Sequence, residues 1–231
     1  PSPTVAARSI VRLTTDQHVP TNAAGGMLQW SRALGRSQYL SAGADWRWVD
    51  GDSQEDAFNA APGAVTPPVQ PGVLALKRVS GGTQRSVGGF VQDILAPWPR
   101  LTLTISARAD HWRNYDAHNL ETNVPSGTPT ANNRLLPVAS KTMVSPRLAA
   151  LYHVTDRINV WGGVGTGFRA PTLNELYRQF RVGTVLTLAN ELLGPERLVG
   201  AEAGLTVTPA RHVTIRSTWF DNRVENPVSN V

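Results

Sequence analysis

Alternating apolar and polar positions dominate the pattern of this sequence. In 101–109 every odd position is apolar and every even one polar, and the same two-residue period runs through 40–48 and 199–207. Successive side chains of a β-strand point to opposite faces, so this period predicts strands with one apolar face. Extended along the chain, it predicts nine strands and no long helix, near 4–14, 26–34, 37–49, 83–95, 100–114, 143–154, 158–168, 197–208 and 211–224.

The connections between these strands alternate in length. Short ones lie at 34–36, 96–100, 155–157 and 208–211, and long polar ones at 50–82, 116–141 and 170–196. Successive connections of an antiparallel sheet lie at opposite ends, so one end carries tight turns and the other long loops. Outer-membrane barrels have short periplasmic turns and long extracellular loops. The pattern therefore predicts an all-β, antiparallel, up-and-down transmembrane β-barrel.

The strand count predicts only part of a barrel. An open sheet edge in hydrocarbon costs several kcal/mol per unpaired group, and bacterial single-chain barrels have even strand numbers. The first residues, Pro1–Pro3, have neither the basic start nor the apolar core of a signal peptide. A barrel of this kind is thus expected to have its leader and further strands outside this sequence.

Tryptophans fall where the bilayer would meet water. Trp46, Trp48 and Trp219 lie toward the long-loop ends of their strands, and Trp98 lies in a short turn at the other end. Interfacial aromatic girdles have this placement, although aromatic residues of a soluble sheet are the alternative. Trp112 falls on the polar face with Arg108 unless a bulge shifts the register. The pattern leaves the register at Trp161 open.

Composition excludes several classes of protein. Charged residues make up 17% of the chain, below the roughly 25% of soluble domains, and no apolar run is long enough for a membrane-spanning helix. Cysteine is absent, which excludes disulfides and thiolate metal sites. The net charge is +5, but the arginines are scattered singly, so we predict no nucleic-acid partner.

The glycine-rich segment 162–177 is the most informative motif. It is not a phosphate-binding loop, because Phe168 stands where G-x-G-x-x-G requires its third glycine and no Lys-Ser/Thr pair follows. The segment instead resembles the barrel signature of TonB-dependent outer-membrane receptors. The residues that carry this resemblance are Gly167, Phe168, Arg169, Ala170, Pro171 and Thr172, followed by Asn190, Pro195 and Glu196 of an N-x-x-L-x-P-E pattern.

The resemblance implies that 1–231 is part of the C-terminal barrel domain of such a receptor. The family barrel has about twenty-two strands and is filled by an N-terminal plug domain, which this sequence lacks. The implied partners are outer-membrane lipid, the plug of the same protein, the TonB complex and a small-molecule or metal-chelate ligand. The implied location is the outer membrane of a Gram-negative cell, and the implied function is energy-coupled uptake of a bulky nutrient such as a ferric siderophore or cobalamin.

Candidate site residues follow from their positions. Polar residues at a loop-side strand end could contact substrate or fix loop geometry, and these are Arg169, Glu175, Tyr177 and Arg181. Residues on the polar faces of strands are expected to face the lumen, namely Arg47, Arg108, Glu202 and Arg216. The five histidines lack ligand spacing, so we predict no metal site, no cofactor and no catalysis. A passive porin and a soluble, glycan-binding β-sandwich are the alternative functions.

Overall fold

The computed structural model describes residues 11–59, 69–182, 185–187 and 189–228. Strands dominate it, and the single α-helix of this part of the chain has five residues. In chain order the elements are β1 (Val11–Leu13), β2 (Thr15–His18), β3 (Thr21–Ala33), β4 (Gln38–Asn59), β5 (Val69–Pro71), β6 (Val73–Trp98), β7 (Leu101–Asn123), β8 (Thr128–Pro129), β9 (Arg134–Leu135), β10 (Ala139–Thr155), β11 (Ile158–Arg169), α1 (Leu173–Tyr177), β12 (Phe180–Val182), β13 (Val185–Thr187), β14 (Glu196–Ala210) and β15 (Val213–Glu225).

The long strands form one antiparallel up-and-down sheet. Its order is β15-β14-β11-β10-β7-β6-β4, and both β2 and β3 pair with the outer side of β4. The short β8 and β9 pair with the end of β7 that β10 does not reach. The sheet is not closed, so the chain forms part of a barrel wall. No helix of the described residues has the length and apolar character to cross a bilayer.

Eight of the nine predicted strands are present. Most of the first one, 4–14, lies outside the described residues. The predicted alternation of connections is confirmed, with tight turns after β3, β6, β10 and β14 and long connections between β4 and β6, β7 and β10, and β11 and β14.

The prediction that 50–82 and 116–141 are loops is wrong in large part. β4 continues to Asn59, β6 begins at Val73 and β7 continues to Asn123. The extensions of β4 and β7 are mainly polar, and the extension of β6 begins with the continuous apolar run 73–76, so none of the three shows apolar alternation. They are ordered because three neighbouring strands continue to satisfy each other's peptide groups.

The register separates the two sides of the sheet. The side that carries Ile105, Leu148, Val164 and Ala201, which lie opposite one another in neighbouring strands, is called the apolar face. Most of the exposed large hydrophobic residues of the long strands lie on this side, and Val164 is 56% exposed. The other side is the polar face, and the register places on it Arg47, Arg108, Glu202 and Arg216.

The register also fixes the two uncertain tryptophans. Trp112 lies opposite Ser86 on the polar face with no bulge at its position, and the register shift comes later, near Asp116, whose φ is 54°. Trp161 lies opposite Gly204 on the polar face. A Cβ at Gly204 would overlap the Trp161 indole, so the absent side chain lets the ring lie against the strand.

The predicted girdle tryptophans lie on the apolar face, and Trp98 is there as the partner of Leu101. Trp46, Trp48 and Trp219 share the face of Ile105 through the cross-strand pairs. Trp98 is the last residue of β6 rather than part of the turn. Trp98 lies next to the turn and is 65% exposed.

We expect charge on the apolar face to be much more destabilising than charge on the polar face. Ile105→Arg would place a guanidinium in hydrocarbon and lower the free energy of unfolding by about 2–4 kcal/mol. Ser106→Arg, one residue away and on the opposite side, is the matched control and should cost much less. Urea unfolding of the full-length protein in lipid vesicles measures both. Equal losses would contradict the assignment of the apolar face to lipid.

Candidate functional site

The connection between β11 and β14 folds back over the polar face. β11 ends at Arg169, and Pro171 removes a backbone donor at this point. Thr172 then caps α1, accepting from the Glu175 amide while the Glu175 carboxylate accepts from the Thr172 amide at 2.8 Å. This reciprocal capping box explains why a five-residue helix forms here.

Arg169 joins three parts of this connection. Its Nε donates to Glu196 Oε2 at 2.7 Å, and its Nη1 donates to Glu175 at 3.0 Å. The end of β11, the first turn of α1 and the start of β14 are therefore held by one guanidinium. Burial alone would raise the pKa of Glu175, but hydrogen bonds from Arg169 and Thr172 outweigh it and lower that pKa. Direct contact of Arg169 or Glu175 with substrate stays a prediction.

α1 is anchored by an apolar cluster on the polar face. Leu176 and Tyr177 pack with Trp112 and Ala117, and each of the four is at most 5% exposed. Nδ2 of Asn114 lies 3.5 Å from the Tyr177 hydroxyl. Tyr177 is thus buried in this cluster, and its contact with substrate stays a prediction. The sequence pattern marked Trp112 as anomalous, and its partner in α1 is the reason for its position.

A cleft of about 490 Å³ lies between α1 and the polar face. Charged and polar side chains supply much of its wall, among them Asp45, Arg47, Arg108, Asp110, Asn174 and Arg178. Arg47 is exposed and makes no hydrogen bond or ion pair with any residue that the structure describes. The cleft therefore contains a cation that is available to an anionic group.

The floor of the cleft is a fixed ionic cluster. Arg108 donates to Asp45 at 2.7 and 3.0 Å and to Asp110 at 2.6 to 3.0 Å. Asp45 and Asp110 lie on either side of Gly88 in neighbouring strands. A Cβ at Gly88 would overlap the guanidinium and the Asp110 carboxylate. Sequence analysis identified Arg108 but missed the two aspartates, because only the register places them beside it.

A second ionic cluster lies beyond the cleft in the polar strand extensions. Arg78 pairs with Glu55 at 2.8 Å and with Glu121 at 2.5 Å, and Glu121 is 3% exposed. With its amide oriented to accept, Gln179 also bonds Arg78 at 2.6 Å, and Arg178 donates to Gln17. The residues that follow α1 are therefore tied to β2 and β6.

Other predicted site residues lie apart from the cleft. The side chain of Arg181 is outside the described part of the chain, although its backbone belongs to β12. Glu202 pairs with Arg147 at 3.2 Å, and Arg216 is exposed on β15. No group of His, Asp or Glu within the described residues has the arrangement of a metal site. The structure thus brings together Arg169, Glu175 and Glu196, and separately Arg47 and Arg108.

We expect Gly88→Ala to disrupt the cluster on the cleft floor. The new methyl group would push Arg108 away from Asp45 and Asp110 and lower the free energy of unfolding by about 1–3 kcal/mol. Gly89→Ala is the matched control, since a Cβ there would have its nearest contact at 3.7 Å. Urea unfolding measures both, and an equal effect of the two substitutions would refute this account.

Acid should weaken the Arg78 cluster. Burial would raise the pKa of Glu121, but hydrogen bonds from Thr130, Arg78 and Asn132 outweigh it, so the pKa is lowered. When the folded-state pKa of a carboxyl group is lowered, its full contribution to stability is present at a pH above the pKa of the unfolded state. This contribution is lost as the pH falls through the pKa of the folded state. Glu121→Gln should therefore cost about 2 kcal/mol at neutral pH and flatten the loss of stability below about pH 4.5. The exposed Glu225→Gln is the control in a pH series of urea unfolding, and an unchanged slope for Glu121→Gln would contradict the prediction.

Comparison with known proteins gives the family. The model of the TonB dependent receptor-like β-barrel matches residues 2–231. The iron-regulated outer membrane virulence protein of Vibrio cholerae serotype O1 is 27% identical over 146 residues, which are 62% of this chain and 18% of that protein.

Solved structures share the fold. The copper transporter OprC superposes with a TM-score of 0.66 at 16% identity, over 92% of this chain and 31% of that chain. The ferric yersiniabactin uptake receptor FyuA of Yersinia pestis has a TM-score of 0.66 at 14% identity, over 91% and 30%. This chain spans less than a third of the length of either. It belongs to the TonB-dependent receptor family and is part of an outer-membrane β-barrel.

Proposed function

We propose that the intact protein is a receptor for energy-coupled uptake of a bulky nutrient, such as a ferric siderophore or cobalamin. The observation that carries this proposal is the cleft beneath α1. It opens on the polar face at the end of the sheet with long connections, and it combines a fixed ionic floor with the unpaired Arg47. A solute with an anionic group could be held there.

The two faces of the sheet support a lumenal position for the cleft. Barrels of this kind have an apolar outside and a polar interior. The polar face would then line the lumen, with Arg47, Arg108, Glu202 and Arg216 directed toward solute or toward the plug domain. The plug and the TonB complex are proposed partners, because this chain spans only part of its relatives.

Relatives support a metal chelate as the substrate. Among the similar proteins, one is named as iron-regulated, one as a copper transporter and one as a ferric yersiniabactin uptake receptor. Acidic chelators carry the anionic groups that an unpaired arginine can bind with charge-assisted hydrogen bonds. We therefore propose a metal chelate with anionic groups ahead of a neutral solute.

A soluble glycan-binding sandwich is disfavoured by the sheet itself. Its apolar face is exposed, and no second layer covers it in the part of the chain that the structure describes. A passive porin would have the same kind of barrel wall, so only energy coupling distinguishes it from the proposed receptor.

The test is uptake by cells that express the full-length receptor. We expect saturable accumulation of a radiolabelled metal chelate, which stops when the TonB complex is deleted. Arg47→Gln should raise the half-saturating concentration of the chelate about tenfold or more, because a charged hydrogen bond to the chelate is lost. Arg211→Gln, in the turn at the opposite end, is the matched control. Non-saturable uptake that is indifferent to the TonB complex would instead establish a passive pore.

A further inference from the structure

Two arginines lie directly opposite each other on the apolar face. Arg85 of β6 is the cross-strand partner of Arg113 of β7, and both are exposed. Neither makes a hydrogen bond or ion pair with a residue that the structure describes, and the Arg113 guanidinium lies 5.5 Å from the Tyr115 ring centre. Directly opposed like charges destabilise a sheet. The pair is therefore a cationic site that lacks its anion.

The pair lies at the boundary between the apolar band and water. Trp48 is the partner of Arg85 on the other side, and the next row toward the short turns contains Trp46, Val87 and His111. Tryptophans of membrane proteins concentrate at the headgroup level. The arginines are at the end with the long connections, which in outer-membrane barrels is extracellular. They therefore lie at the headgroups of the outer leaflet.

Neighbouring acids do not neutralise this pair. Asp50, in the next row on the same face, accepts a hydrogen bond from Thr83 at 2.7 Å. Extension of single arginines toward water would explain their exposure, but it does not explain two of them in direct opposition. An anion with several acceptor oxygens, placed between the two guanidinium groups, would turn the repulsion into attraction.

We propose that Arg85 and Arg113 bind the phosphate of a phosphorylated glycolipid in the outer leaflet. Guanidinium groups bind phosphate oxygens in bidentate fashion. The acyl chains of the lipid then lie along the apolar band that begins at Val87 and continues to Val91, and the sugar lies beside Trp48. This continuity of cation, aromatic ring and aliphatic surface fits a lipid rather than free phosphate. The proposal requires only the outer-membrane location and is independent of the uptake function.

The test compares two lipids on the full-length receptor in neutral detergent. Native mass spectrometry should show binding of phosphorylated lipid A, and much weaker binding of the same lipid after removal of its phosphates. Arg85→Gln with Arg113→Gln should weaken binding of the phosphorylated lipid about tenfold or more. Arg157→Gln with Arg211→Gln removes two charges from short turns at the opposite end and should leave binding unchanged.

Stability provides an independent readout. Without lipid, the double glutamine variant should melt at a higher temperature than wild type because the repulsion is relieved. With phosphorylated lipid A the order should reverse. Arg85→Lys with Arg113→Lys keeps the charge and should retain part of the binding.

Three results would overturn the proposal. The first is equal binding of phosphorylated and dephosphorylated lipid A by wild type. The second is equal binding of phosphorylated lipid A by the double glutamine variant and its control. The third is binding of inorganic phosphate as tight as that of phosphorylated lipid A. Should the glutamine variant fail to fold, the comparison of the two lipids on wild type decides alone. None of these results bears on energy-coupled uptake, so the two proposals fail separately.

Discussion

Hydrocarbon cannot hydrogen-bond to a peptide group, and this constraint governs the rest of the structure. Each strand must satisfy its backbone through its neighbours, which leaves only the side chains to distinguish lipid from lumen. The two-residue period of the sequence is the result. It places Ile105, Leu148 and Val164 on the apolar face and Arg108 and Glu202 on the polar face.

The membrane-crossing part of the fold was predictable because lipid imposes apolar alternation on it. Eight strands and the alternation of short and long connections followed from that pattern. The extensions of β4, β6 and β7 were not predictable, since β4 and β7 are mainly polar there, β6 starts with a continuous apolar run, and no two-residue period remains. Their order depends on cross-strand pairing and on contacts such as Arg78 with Glu121, which join residues far apart in the chain.

The candidate site was predictable only in fragments. The motif around Arg169 marked the connection that folds over the polar face, and Arg47 and Arg108 were recognised as charged residues on that face. The sequence could not show that Asp45 and Asp110 flank Arg108, because their proximity depends on the register of three strands and on the missing side chain of Gly88. It also could not show that Trp112 receives Leu176 and Tyr177.

The strand extensions have a consequence for the proposed uptake of a solute. Beyond Trp48, β4 continues for about 35 Å of paired strand, and β6 and β7 accompany it. A wall of this kind loses its conformational freedom when the barrel folds. Flexible loops would lose their conformational freedom only when the solute binds, and this entropy cost would lower the affinity. In the proposed uptake, dilute solutes would meet a preformed rim rather than flexible loops.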